Sequence, residues 1–132
     1  MNTGFYAKIN SIVEQDSRYH RDAYEFVMQA LWFTQKKLKR NDHLSGRELT
    51  AGIRDFALEQ YGPMAKTVIL HWGINKTEDF GNIVFNMIDS GLMNKSEEDR
   101  LDDFKGVYNF EQAFNVFKTT APKSRRSKLI KK

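Results

Sequence analysis

The chain has 132 residues, 40% of them hydrophobic and 29% charged, which fits one globular domain with a real core and excludes a disordered polymer. It contains no cysteine, so disulfides, thiolate zinc centres, iron–sulfur clusters and cysteine nucleophiles are excluded together. The formal charge of +4 is unevenly divided: residues 118–132 hold seven of the 21 Lys and Arg and no acid, leaving 14 bases against 17 acids in residues 1–117, a net of −3. That division predicts an acidic helical globular domain over residues 1–117 and a basic, flexible tail over residues 118–132.

The first residues, MNTGFYAKINSIVEQD, lack the apolar run of a signal peptide, and no stretch approaches the roughly 20 apolar residues that span a bilayer. The expected location is cytoplasmic, with no membrane partner. Phe5, Ile9, Ile12 and Val13 fall at i, i+4, i+7 and i+8 and predict a first helix. A longer helix is expected from about Arg21 to Lys39, where Ala23, Val27, Ala30, Leu31 and Leu38 recur at helical spacing. Phe26, Trp32 and Phe33 widen its stripe, as in an element buried on more than one side.

Ser45 and Glu48 read as an S-x-x-E capping box, with Leu44 and Leu49 at the two positions of a hydrophobic staple. Leu49, Ile53, Phe56, Ala57 and Tyr61 then mark the buried face of a third helix, stopped by Gly62 and Pro63. A short helix from Pro63 to Trp72 ends at Gly73. Thr77 is the expected N-cap of the next, with Phe80, Ile83, Val84, Met87 and Ile88 as its apolar stripe and Gly91 as its stop. Beyond it, Leu92 and Met93 are expected to start a short strand, SEEDRLDD a polar loop or helical turn, Val107–Phe110 a second strand, and Glu111 to Phe117 a last short helix. Short helix, turn, helix and hairpin is the order of a winged helix-turn-helix, so the expected class is mainly α, winged-helix-like with a short β-hairpin.

The chain has no G-x-S-x-G elbow, no P-loop and no dinucleotide fingerprint, and His20, His43 and His71 lie far apart in sequence. No catalytic residue, metal site or cofactor is expected, and the chain reads as a binding protein rather than an enzyme. The acidic run Glu97, Glu98, Asp99, Asp102 and Asp103 lacks the EF-hand pattern; it reads as a solvated loop, with docking of the chain's own tail as the alternative. In a helix that reads DNA, the exposed face carries Arg, Lys, Asn and Gln. Here the positions expected to be exposed are Glu78, Asp79, Asn82, Asn86 and Asp89, and three carboxylates would repel phosphate.

The positive charge lies elsewhere. Lys118, Lys123, Arg125, Arg126, Lys128, Lys131 and Lys132 form an unopposed run suited to phosphate neutralisation, and Lys36, Lys37, Lys39 and Arg40 close the long helix as a second patch. Leu129 and Ile130 are too few for membrane insertion. The expected partner of the tail is therefore nucleic acid, with RNA or a ribosomal surface ahead of specific DNA, while the acidic domain contacts protein. The rival reading is a protein–protein adaptor or a small subunit of a larger assembly with an incidental tail. Its mark would be an exposed apolar patch built from surplus aromatics such as Tyr19, Trp32 or Phe85.

Residues 43–110 carry the stretches HLSGREL, RDFALEQYGPMAKTV, HWGINKTEDFGNIVFNMIDSGLM and EEDRLDDFKGVYNF. In these the chain resembles a conserved bacterial family of planctomycete and verrucomicrobial sequences. The resemblance implies a shared fold and no activity, substrate or site. The tail lies outside the matching stretch, so a function that depends on the tail is expected to be peculiar to this member.

Overall fold

The computed structural model describes residues 3–41, 43–94 and 100–114. Among them the chain forms α1 (Thr3–Gln15), α2 (Arg21–Leu38), α3 (Gly46–Tyr61), a 3-10 turn at Gly62–Met64, α4 (Ala65–His71), α5 (Thr77–Asp89), a second 3-10 turn at Leu101–Phe104, and α6 (Phe110–Ala113). No described helix is long and apolar enough to cross a membrane.

The core is built on α2, α3 and α5. Tyr24 and Val27 of α2, Ile53 of α3, and Phe80, Ile83 and Met87 of α5 are completely covered. α2 and α3 run back against each other, with Arg40 meeting Glu48 at one end and the Phe26 and Tyr61 rings 6.1 Å apart at the other. Midway the two backbones approach closely, because Gly52 has no side chain. A Cβ there would fall 2.7 Å from the Cβ of Thr34, well inside van der Waals contact. The Thr34 hydroxyl, which faces Gly52, donates to the Ala30 carbonyl at 2.7 Å, so a buried polar group is satisfied within its own helix. Phe104, on the second 3-10 turn, fills the space left by the missing side chains of Gly46 and Gly81 and so joins α3 to α5.

The capping box at the start of α3 is formed in full: the Glu48 N–H donates to Ser45 Oγ at 3.0 Å, and the Ser45 N–H donates to Glu48 Oε1 at 2.9 Å. The start of α5 differs from expectation. Its cap position is Lys76, and Thr77 is the first helical residue, buried, its hydroxyl accepting the Val107 N–H at 3.2 Å. Asp79 satisfies the helix start instead, accepting from the N–H groups of Asn75 (2.9 Å) and Lys76 (3.3 Å).

No strand forms among the described residues, so the hairpin and with it the winged-helix reading are corrected. Leu92 and Met93 are spent on ending α5. Gly91 takes the left-handed conformation (φ 80°), the Leu92 N–H returns to the Met87 carbonyl at 2.8 Å, and the Gly91 N–H returns to Ile88 at 3.0 Å. Val107 and Tyr108 do not pair with another chain segment either. Val107 donates to Thr77, Tyr108 Oη donates to the Thr50 carbonyl at 2.9 Å, and Asn109 caps α6 through Glu111 and Gln112. The second helix of the expected helix-turn-helix, already too acidic to read DNA, is also more buried than expected. Asp79 is buried, Glu78, Asn82 and Asn86 are half-buried, and of the five positions expected to be exposed only Asp89 is.

Two substitutions test this account of the α2–α3 pair. Gly52→Ala must push the two helices apart and is expected to cost about 1–3 kcal/mol in urea unfolding. Lys39, the C-terminal cap of α2, holds a positive φ of 57° without being glycine. Lys39→Gly is expected to raise stability by about 0.5–1 kcal/mol in the same measurement.

Candidate functional site

The cationic end of α2 is the part of the expected nucleic-acid surface that the described residues contain. Arg40 is bound to Glu48 by a 2.5 Å ion pair and donates a second bond to the His43 carbonyl at 2.9 Å. Glu48 is thereby held below the usual carboxylate range, first by the Ser45 N–H and then by Arg40. Lys37 pairs with Asp55 of α3 at 2.8 Å. Lys36 and Lys39 are exposed, and among the described residues no ion pair joins either of them. Of the four cations, two are therefore already opposed by carboxylates.

The fold ties this patch to the last described residues of the chain. Asp55, the partner of Lys37, also accepts from Arg54 at 3.0 Å, and Arg54 Nε donates to the Ala113 carbonyl at 3.2 Å. Ala113 and Phe114 are the last described residues before the tail. A chain of three contacts thus joins the end of α2 to the root of the C-terminal segment. Lys118, Lys123, Arg125, Arg126, Lys128, Lys131 and Lys132 themselves lie outside the described residues, as do Glu97, Glu98 and Asp99 of the acidic run.

Two of the three histidines converge. The His20 and His71 rings stand 6.0 Å apart, because the His20 N–H donates to the Trp72 carbonyl at 3.0 Å and draws the start of α2 onto the end of α4. His20 is also the N-cap of α2, its Nδ1 accepting from the Asp22 N–H at 3.1 Å. Among the described residues no group of three or more His, Asp or Glu is placed to hold a metal ion.

The polar residues of α5 form a network with the corner between α1 and α2. Tyr19 Oη donates to Asp79 Oδ1 at 2.6 Å and accepts from Asn82 Nδ2 at 2.9 Å. Asn86 Nδ2 donates to Asp16 Oδ2 (3.0 Å) and to Tyr24 Oη (3.1 Å), and Arg18 grips Asp16 through Nε and Nη2 at 2.9 and 2.6 Å. Arg18 and then Asn86 hold the Asp16 carboxyl well below its ordinary range. Burial, followed by the bond to Asp79, pushes the Tyr19 hydroxyl up to about 12. Side chains that looked available for a ligand are engaged here in fixing one helix against two others. Sequence reasoning missed this because the partners lie 60 to 70 residues apart.

The aromatic residues expected to mark an adaptor surface are divided. Tyr19 is buried in the network just described. Trp32, 58% exposed, and the half-buried Phe85 both line a cleft of about 630 Å³ between α1, α2, α3 and α5. Its floor includes Met28, Leu49, Val84 and Phe104.

No family model, no curated protein and no solved structure matches this chain.

The network makes two predictions. Tyr19→Phe removes a donor from buried Asp79 and is expected to cost about 1–3 kcal/mol of stability. A raised tyrosine value means that the fold favours the neutral phenol. Its contribution is therefore complete below the ordinary value of 10.0 and is lost as the pH rises toward about 12. Urea midpoints across that window should fall less steeply in Tyr19→Phe than in the parent; Tyr24, Tyr61 and Tyr108, also raised by burial, and Tyr6, raised by its bond to Glu25, contribute to the slope that remains.

Proposed function

We propose that the chain is a non-enzymatic binding protein whose tail and the cationic end of α2 form one surface for nucleic acid, with RNA or a ribosomal surface ahead of specific DNA. The observation that carries this reading is the link from Lys37 through Asp55 and Arg54 to Ala113. It joins Lys37, beside the exposed Lys36, to Ala113, five positions before the run of seven cations that begins at Lys118. Two separate patches would each be weak. Placed together, they present a path of positive charge to a phosphate backbone, and the affinity comes mainly from released counterions.

Sequence selectivity has little support. Phosphate contacts position a protein and base contacts specify the site. The helix that would have entered a groove is packed inside the domain, with its polar residues bonded to Tyr19, Tyr24 and Asp16. The reading is therefore of charge-driven, salt-sensitive and weakly selective binding. The adaptor reading retains one specific support, the exposure of Trp32 at the lip of the apolar cleft.

The test is a titration of single-stranded RNA, at two salt concentrations, with the full chain, a chain ending at Phe117, and the full chain carrying Lys36→Glu and Lys39→Glu. If all seven tail cations engage, affinity should fall roughly as the fifth power of salt, about a thousandfold from 50 to 200 mM. The shortened chain should lose most of its binding, and the double variant should lower the slope by about 1–2 units. A fall of less than about tenfold over that range, or equal binding by the shortened chain, removes the reading.

A further inference from the structure

The cleft beside Trp32 has an apolar floor, with Gln35, Asn41, His43, Ser45 and Asn94 adding polar groups to its lining. Met28, Leu49, Val84 and Phe104 form its floor and are each less than a tenth exposed, while Leu31 and Ile88 form part of its walls. Among its described lining residues Lys8 is the one Lys, Arg, Asp or Glu. Its ammonium hangs over the cleft edge, 3.6 Å from the point where a Cβ on Gly91 would lie, and among the described residues no ion pair joins it. An apolar trough closed at one edge by an unopposed cation suits an amphipathic anion. The hydrophobic effect favours filling the trough, and the cation selects the charge of whatever end remains in water. The volume also falls within the range of about 300–1,000 Å³ usual for small-molecule sites.

The chain's own tail fits less well: it carries seven cations and no acid, so Lys8 repels it.

We infer that the cleft binds a single-chain aliphatic carboxylate, its chain laid along Met28, Leu49 and Val84 and its head paired with Lys8. This does not rest on the nucleic-acid reading, since the tail and the end of α2 take no part in it.

The chain reports on itself. It has two tryptophans, of which Trp72 is buried and Trp32 stands at the mouth of the cleft, so a change in emission on filling arises at Trp32. The full chain and its Lys8→Gln variant, altered at an exposed position, are titrated with dodecanoate below its micelle concentration. Dodecanol supplies the chain without the charge, and acetate the charge without the chain. The expected result is a saturable blue shift with dodecanoate, none with acetate, and a loss of about fivefold in dodecanoate affinity in Lys8→Gln. Dodecanol should bind both proteins equally. Absence of a saturable shift with dodecanoate overturns the inference. Equal dodecanoate affinity in the two proteins also overturns it, because the head is then not at Lys8 and the tail is the simpler receptor. A shift produced by an acidic leucine-rich peptide and not by dodecanoate assigns the cleft to a protein segment instead.

Discussion

The contact between Gly52 and Thr34 sets the geometry on which the other features of this domain depend. A helix pair normally keeps its axes apart by the thickness of its side chains, and here one of those side chains is missing. The close approach brings Asp55 within reach of Lys37 and Glu48 within reach of Arg40, so that the end of α2 is tied down by ion pairs from α3. The same helix is joined to the end of α6 through Arg54 and Ala113. A single small residue in the middle of α3 thus governs where the cationic end of α2 and the root of the tail stand relative to each other.

The second constraint is the burial of polar groups on α5. An acidic helix with two asparagines on one face has two ways to satisfy them, in solvent or against other polar groups of the fold. This protein takes the second way, and each bond is made to a partner on α1, α2 or the turn between them. Buried polar groups satisfied in this manner specify a single packing, because any slip leaves a donor or a carboxylate without a partner. The cost is that these residues are not available to a ligand. The network therefore ties the α1–α2 corner to α5 and engages Asp79, Asn82 and Asn86, so that they form no reading face.

Charge and apolar surface adjoin on α2. Met28, Leu31, Trp32 and Gln35 line the cleft, and Lys36 to Arg40 follow as the cationic end.

Local signals in the sequence were enough for the helices. The Ser45–Glu48 capping box, the extent of α2, the stop at Gly62 and the stripe of α5 all follow from spacing and capping over a few residues, and each is present. Short apolar runs such as Leu92–Met93 and Val107–Phe110 were not decided by it. A strand needs a partner, and the residues in question found helix-end carbonyls and side-chain oxygens instead. The division of charge between residues 1–117 and 118–132 was likewise legible from composition alone. Only the tertiary structure decided which polar residues are available. Asp79, Asn82 and Asn86 were expected on the surface and are held by partners 60 to 70 positions away, while Lys8 stood out in no pattern and lies at the mouth of the cleft. Periodicity reports which face of a helix is apolar; whether its polar face meets water or another helix depends on contacts between residues remote in sequence, and no local pattern contains them.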